Sequence, residues 1–164
     1  MIFYLVALLV VITDRISKWL VIQHMTPGQS FPIIGENFLR LTYIQNPGIA
    51  FGIQVLPGGY PMIFSLVTSL LLIAYLYHIR KRSTFLKLPL SLILGGAVGN
   101  LIDRFLWGKV VDFIDVDFPD FIMSRWPVFN AADSAVTVGM CLLVIYILFQ
   151  PGIDAKYSTP STAS

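Results

Sequence analysis

Two aspartates stand apart from the other acids of this 164-residue chain. Asp112 sits in Val110-Val111-Asp112-Phe113-Ile114, and Asp133 opens a long apolar segment just after Asn130. A carboxyl group among such neighbours must be paired, protonated or used. Two of them brought together share one proton: one acts as general base on a water while the other, protonated, polarises a scissile carbonyl. Hydrolysis by carboxylates is also what elimination leaves. His24 follows the first apolar segment and His78 the second, which puts them at opposite membrane faces, and Cys141 has no base near it in sequence. Ser-His, Cys-His and H-E-x-x-H zinc chemistry are therefore excluded.

Each aspartate also has a structural reading. With Asn130 as N-cap, Asp133 falls at N3, where a carboxylate caps the helix and meets its dipole. Asp115, Asp117 and Asp120 read as solvated loop charges. Four acids in the nine residues from Asp112 to Asp120 could hold a hard cation, but the spacing lacks the glycine and terminal glutamate of an EF-hand loop. No metal and no cofactor is expected.

The elements that must carry these groups follow from composition. Hydrophobic residues make up 56% of the chain and charged ones only 12%, about half the ~25% of ordinary soluble domains. Met1 to Thr13, Leu41 to Ile79, Leu88 to Ile102 and Ser134 to Ile153 contain no Asp, Glu, Lys or Arg. Since about 20 apolar residues cross a bilayer, the expected fold class is an all-α polytopic membrane protein. Its four transmembrane helices would lie at about 3–22, 61–78, 87–105 and 131–149, in a single domain spanning 1–153, with a disordered tail at 154–164. The net charge of +2 and the unpaired Cys141 exclude nucleic-acid binding and a disulfide scaffold. The first segment has no basic n-region and ends in Asp14, Arg15 and Lys18, so it is read as a helix rather than a cleaved leader.

Lys and Arg in short loops mark the cytoplasmic side. Arg80, Lys81, Arg82 and Lys87 place the loop between spans two and three there, with both termini. Residues 23–60 and 106–129 then lie outside. Within the first of these, Phe38 to Ile44 is rich in strand formers, with Leu39, Leu41 and Tyr43 on one face, and Pro47-Gly48 forms a turn. A small antiparallel sheet at the membrane surface is expected.

Several polar residues fall on the helices themselves. Asp14 and Lys18, spaced i, i+4, neutralise one another, chiefly as a structural pair snorkelling to the outer interface, with the orienting of polar groups from other helices as the alternative. Ser91, Gly95 and Gly99 form a small-residue seam for close helix packing. Gly96, Asn100 and Arg104 share the adjacent stripe, with Arg104 either paired to Asp103, snorkelling, or recognising a carbonyl or head group.

Five strings now combine. Asn46-Pro47-Gly48-Ile49-Ala50-Phe51, Gly95 to Arg104, Val110 to Asp115, Phe129 to Ser134 and the Asp14–Lys18 element, in chain order, resemble the lipoprotein signal peptidases (signal peptidase II) of bacteria over nearly the whole of residues 1–150. That resemblance implies an aspartic endopeptidase of the cytoplasmic (inner) membrane, four helices with a small extracytoplasmic β-cradle, and an active site at the outer face. Its substrate would be a diacylglyceryl-modified prolipoprotein, cut before the lipidated cysteine. By motif position Asp112 and Asp133 are catalytic. Asn46, Gly48, Asn100, Arg104 and Asn130 bind substrate, and Asp14 with Lys18 give structural support. The expected partners are substrate and membrane lipids, not nucleic acid, with the protein a monomer. Arg15 stands where glutamine is common and Ile49 where alanine is usual. The competing reading is a small non-enzymatic transporter subunit or scaffold with interhelical ion pairs and an ion-binding acidic loop.

Overall fold

A computed structural model describes residues 2–48, 60–81, 84–117 and 125–149. It contains four helices, α1 (Ile2–His24), α2 (Tyr60–His78), α3 (Thr84–Trp107) and α4 (Ala131–Phe149), and three strands, β1 (Ser30–Ile34), β2 (Leu39–Asn46) and β3 (Val110–Val116). The fold is therefore mostly helical rather than all-α. Tail residues 154–164, together with Ile49, Ala50, Phe51, Arg82 and Asp120, lie outside the described residues.

The helices turn the usual soluble pattern outward. Leu5, Leu9, Leu71, Ile147 and Leu148 are exposed, while Asp14, Lys18, Ser69, Ser91 and Asp103 are buried. Apolar surface that faces lipid costs nothing there, whereas polar groups must find partners inside. Among the described residues three helices, α2, α3 and α4, are long and apolar enough to cross a membrane. α1 differs in composition because Asp14, Arg15 and Lys18 lie in its second half.

α3 is the central helix, packed against α1, α2 and α4. Its glycines set how closely the others approach. A Cβ on Gly95 would lie 2.6 Å from Val10 Cβ of α1, and one on Gly96 would collide with the Ala132 carbonyl oxygen of α4. Gly95 of the expected seam thus serves α1, while Gly96, on the adjacent stripe, serves α4.

At the centre of the bundle lies a group of buried charges. Lys18 Nζ pairs with Asp14 Oδ2 at 2.8 Å and Asp103 Oδ2 at 2.9 Å, and all three side chains are 0% exposed. Arg15 closes onto the other oxygen of Asp103 and lies over the Trp107 ring. Asp14 and Lys18 therefore do not snorkel. Their pairing is satisfied across two helices, which removes any need to reach water. The remaining acceptor capacity goes to backbone: Asp14 Oδ1 accepts from Ala132 N at 3.0 Å and Asp103 Oδ2 from Val111 N at 3.1 Å.

The sheet has order β1-β2-β3, both pairs antiparallel. Only part of β2 was expected as a strand; β1 and β3 fall in segments read as loops. In β3 the near-continuous apolar run follows from burial of both faces, a pattern that does not alternate. Val111 and Phe113 pack with Tyr43, Val21 and Met25 over the end of α1, so Asp112 faces the other way.

Two outcomes test this packing. Lys18→Met leaves Asp14 facing a buried carboxylate without its cation and should cost about 3–5 kcal/mol, measured by thermal unfolding in detergent, with partial recovery in Lys18→Met plus Asp14→Asn. Gly96→Val forces α4 away from α3 and should lower stability by about 1–3 kcal/mol or more, read in the same assay.

Candidate active site

Asp112 is delivered by strand register. Ile44 pairs with Asp112 and Asn46 with Val110, which puts Asn46 and Asp112 diagonally on one face. Asn46 Nδ2 donates to Asp112 Oδ2 at 3.0 Å, and its Oδ1 accepts from the Gly48 backbone N–H at 2.8 Å, closing the turn that follows β2. The other oxygen, Asp112 Oδ1, accepts from Asn130 Nδ2 at 2.6 Å. The residue is 2% exposed. Burial, and next the charge of Asp133, raise its pKa from the usual 3.8 to about 7.

Asp133 is delivered by the start of α4. Asn130 caps that helix: its Oδ1 accepts from Asp133 N at 2.9 Å while Asp133 Oδ2 accepts from Asn130 N at 3.2 Å. This is the reciprocal arrangement of a capping box. The expected capping geometry is therefore present, and it uses only one oxygen. The second, Oδ1, accepts from Asn100 Nδ2 at 2.8 Å. Asp133 is partly exposed, unlike Asp112.

Asn130 thus bridges the two acids, with its amide nitrogen on Asp112 and its oxygen on the backbone of Asp133. Asn100 ties this pair to the bundle. Its Oδ1 accepts from Lys18 Nζ at 2.9 Å and from Asn130 Nδ2 at 3.2 Å. Arg104, one helical turn further along α3, does not pair with Asp103. It donates to Ser65 Oγ of α2 at 3.1 Å and to the Gly48 carbonyl at 3.2 Å, anchoring the turn after β2 beside the two acids.

Asp112, Asp133, Asn46, Asn100 and Asn130 form one hydrogen-bonded cluster. Gly48 and Arg104 adjoin it, and Asp14 and Lys18 lie directly behind. Ser65 is a neighbour that no sequence signal identified, because a serine in an apolar helix reads as a small packing residue. Asp115 also departs from expectation. It is 4% exposed, accepts from Thr42 Oγ1, and pairs with Arg125 Nε at 2.6 Å. The interaction raises the Arg125 pKa, and Asp115 is a sheet-to-loop fastening rather than a solvated charge. It is held in place because β3 pairs Asp115 with Arg40 across β2, a register that sequence alone does not fix.

The family model for signal peptidase II, described as "Signal peptidase (SPase) II", matches residues 6–149. The chain is 43% identical over 152 residues to a lipoprotein signal peptidase of Chlorobium phaeobacteroides (strain BS1), covering 88% of this chain and 94% of the relative. It is 41% identical over 159 residues to the lipoprotein signal peptidase of Bacillus subtilis (strain 168), covering 95% and 99%. A solved bacterial membrane enzyme superposes with a TM-score of 0.75 at 33% identity, covering 98% of this chain and 93% of that one. With the helical bundle, the appended sheet and the matched length in agreement, this chain belongs to the signal peptidase II family.

Proposed function

We propose that this protein is an aspartic endopeptidase that removes signal peptides from diacylglyceryl-modified prolipoproteins, cutting before the lipidated cysteine, with Asp112 and Asp133 as its catalytic pair. The observation that carries the reading is the single asparagine, Asn130, bonded to both acids while neither is neutralised by a direct ion pair among the described residues. Structural carboxylates in this molecule look different: Asp14, Asp103 and Asp115 each hold a cation. Two acids left unpaired, one of them buried, can keep one proton between them.

Hydrolysis then needs one water and one peptide carbonyl between the carboxyls. The carboxylate member takes a proton from water as the oxygen attacks, and the protonated member donates to the carbonyl oxygen. Collapse of the resulting diol breaks the C–N bond, the first acid returning its proton to the leaving nitrogen. Asn46, Gly48, Asn100, Arg104 and Asn130 hold the carboxyls and the adjoining turn, and would meet the peptide backbone. Water exclusion by the sheet favours the charge shifts involved.

The membrane setting supports the substrate class. We infer that α1 crosses the membrane with the other three helices, since its charges are neutralised internally and its outer face carries Leu5, Leu8, Leu9, Ile12 and Ile16. With both termini cytoplasmic, the dyad lies at the outer hydrocarbon border, where the peptide bond next to a lipid-anchored residue emerges. Acyl chains would reach it sideways between helices.

Asp112→Asn and Asp133→Asn, each purified folded, should lose turnover of a diacylated prolipoprotein in micelles by at least about a hundredfold, while full turnover by either would refute the dyad. The pH profile carries a second expectation. With Asp112 titrating at about 7, the one-proton state is lost above that pH, so kcat/KM should decline through a limb near pH 7. Addition of the chain to peptidase-deficient membranes should restore mature lipoprotein.

A further inference from the structure

Resting on that dyad, we infer that its two acids are unequal by construction: Asp133 is the carboxylate that takes the proton from water, Asp112 is the acid that donates to the carbonyl, and Lys18 holds this order by acting through the Asn100 amide. The donors on the two groups differ in kind. Asp112 lies on a strand and receives only two neutral side-chain amides, from Asn46 and Asn130. Asp133 lies in the first turn of α4, receives a backbone N–H from Asn130 and the Asn100 amide, and is partly exposed. The positive end of a helix and a backbone donor favour the ionised form, whereas burial without a cation favours the neutral one.

Lys18 enters through the orientation of Asn100. An amide presents a donor at one end and an acceptor at the other, and rotating it exchanges them. Lys18 Nζ and Asn130 Nδ2 both donate to Asn100 Oδ1. A rotated Asn100 would aim its NH2 at an ammonium and at another amide donor. Lys18 therefore leaves Asn100 only one way round, with Nδ2 toward Asp133. Asn130 is locked in the same manner, because its Oδ1 accepts from Asp133 N and its Nδ2 must point to Asp112 and Asn100.

No other charge facing the pair opposes this order. Arg104 of α3 interacts with both members, with Asp133 ahead of Asp112, and so leans the same way. Asp103, behind Lys18, already holds Arg15 and Lys18. Lys18 of α1 acts on Asp112 too, but behind the stronger influences of burial, Asp133 and the two amides. The selective contacts are those from Asn100 and from the α4 N-terminus.

The proton ledger closes with these roles. Water loses a proton to Asp133, its oxygen bonds the carbonyl carbon, and the Asp112 proton moves to the carbonyl oxygen. On collapse Asp133 gives its proton to the departing nitrogen, and Asp112 takes one back from the diol. The enzyme returns to its starting state with one water consumed.

Infrared difference spectra of the full chain in detergent, titrated from pH 5 to 9, read the proton directly, without activity. The carbonyl band of a protonated carboxylic acid should fade through about pH 7 in the unaltered protein, be missing in Asp112→Asn and persist in Asp133→Asn. The reverse pattern would overturn the assignment while leaving the dyad itself standing; loss of the dyad shows instead as undiminished turnover by an Asn variant. For the Lys18 arm, Asn100→Ala leaves Lys18 paired with Asp14 and Asp103 and keeps the bundle intact. Losing the amide that holds the Asp133 carboxylate should lower kcat at least about tenfold, the worth of one hydrogen bond to a charged group. Lys18→Met, checked for folding, should lower kcat in the same direction, and because Lys18 acts through Asn100 the double variant should lose no more than the larger single loss. Losses that simply multiply in the double variant would reduce Lys18 to a structural role.

Discussion

The buried ammonium of Lys18 is the constraint on which the rest depends. A lysine with no exposed surface demands anionic and polar partners on every side, and these come from different elements. Asp14 is on its own helix, Asp103 and Asn100 are on α3, and those acids also accept from the backbone, Asp14 through its other oxygen at the start of α4 and Asp103 through the same Oδ2 on β3. One charge thus fixes where two helices cross, where a third begins and where the sheet attaches. In lipid, where apolar contact between helices gains little over contact with acyl chains, such polar centres and close backbone packing carry specificity.

Glycines make that centre reachable. Gly95 and Gly96 lie on adjacent stripes of α3 and allow α1 and α4 to approach from two directions. Gly99 continues the arrangement one turn later, where any side chain would collide with Asp14 Oδ2 itself, 2.7 Å from an added Cβ. Packing and electrostatics are therefore the same design: absent side chains on α3 create the space in which the ion pairs form.

From the charged centre outward, the polarity changes by steps. Full charges lie deepest, then the amides of Asn100 and Asn130, then the two acids left without a cation. The amides are suited to the middle layer because each presents both a donor and an acceptor and so transmits an orientation without adding charge. Arg104 and Ser65 join α2 to the same layer through the Gly48 carbonyl. The proposed catalytic groups sit at the rim, where one is enclosed by the sheet and the other opens toward solvent.

The sequence by itself determined much of this. Charge-poor runs set four helices, Asn130 and Asp133 announced the start of α4, and the apolar setting of Asp112 marked it as unusual among clustered acids. These are local properties, decided by hydropathy, capping chemistry and immediate neighbours. What only the tertiary structure decided involves partners far apart in sequence. Asp14 and Lys18 looked like a pair bound for the interface because their third partner, Asp103, lies on another helix. Asp115 looked solvated because Thr42 reaches it from a neighbouring strand and Arg125 from the loop before α4. β3 was hidden because a doubly buried strand does not alternate, and β1 because its short run is largely exposed and interrupted by Pro32. The difference between two chemically identical aspartates is of the same kind, since it rests on which donor each oxygen meets, and those donors come from β2, α3 and α4 together.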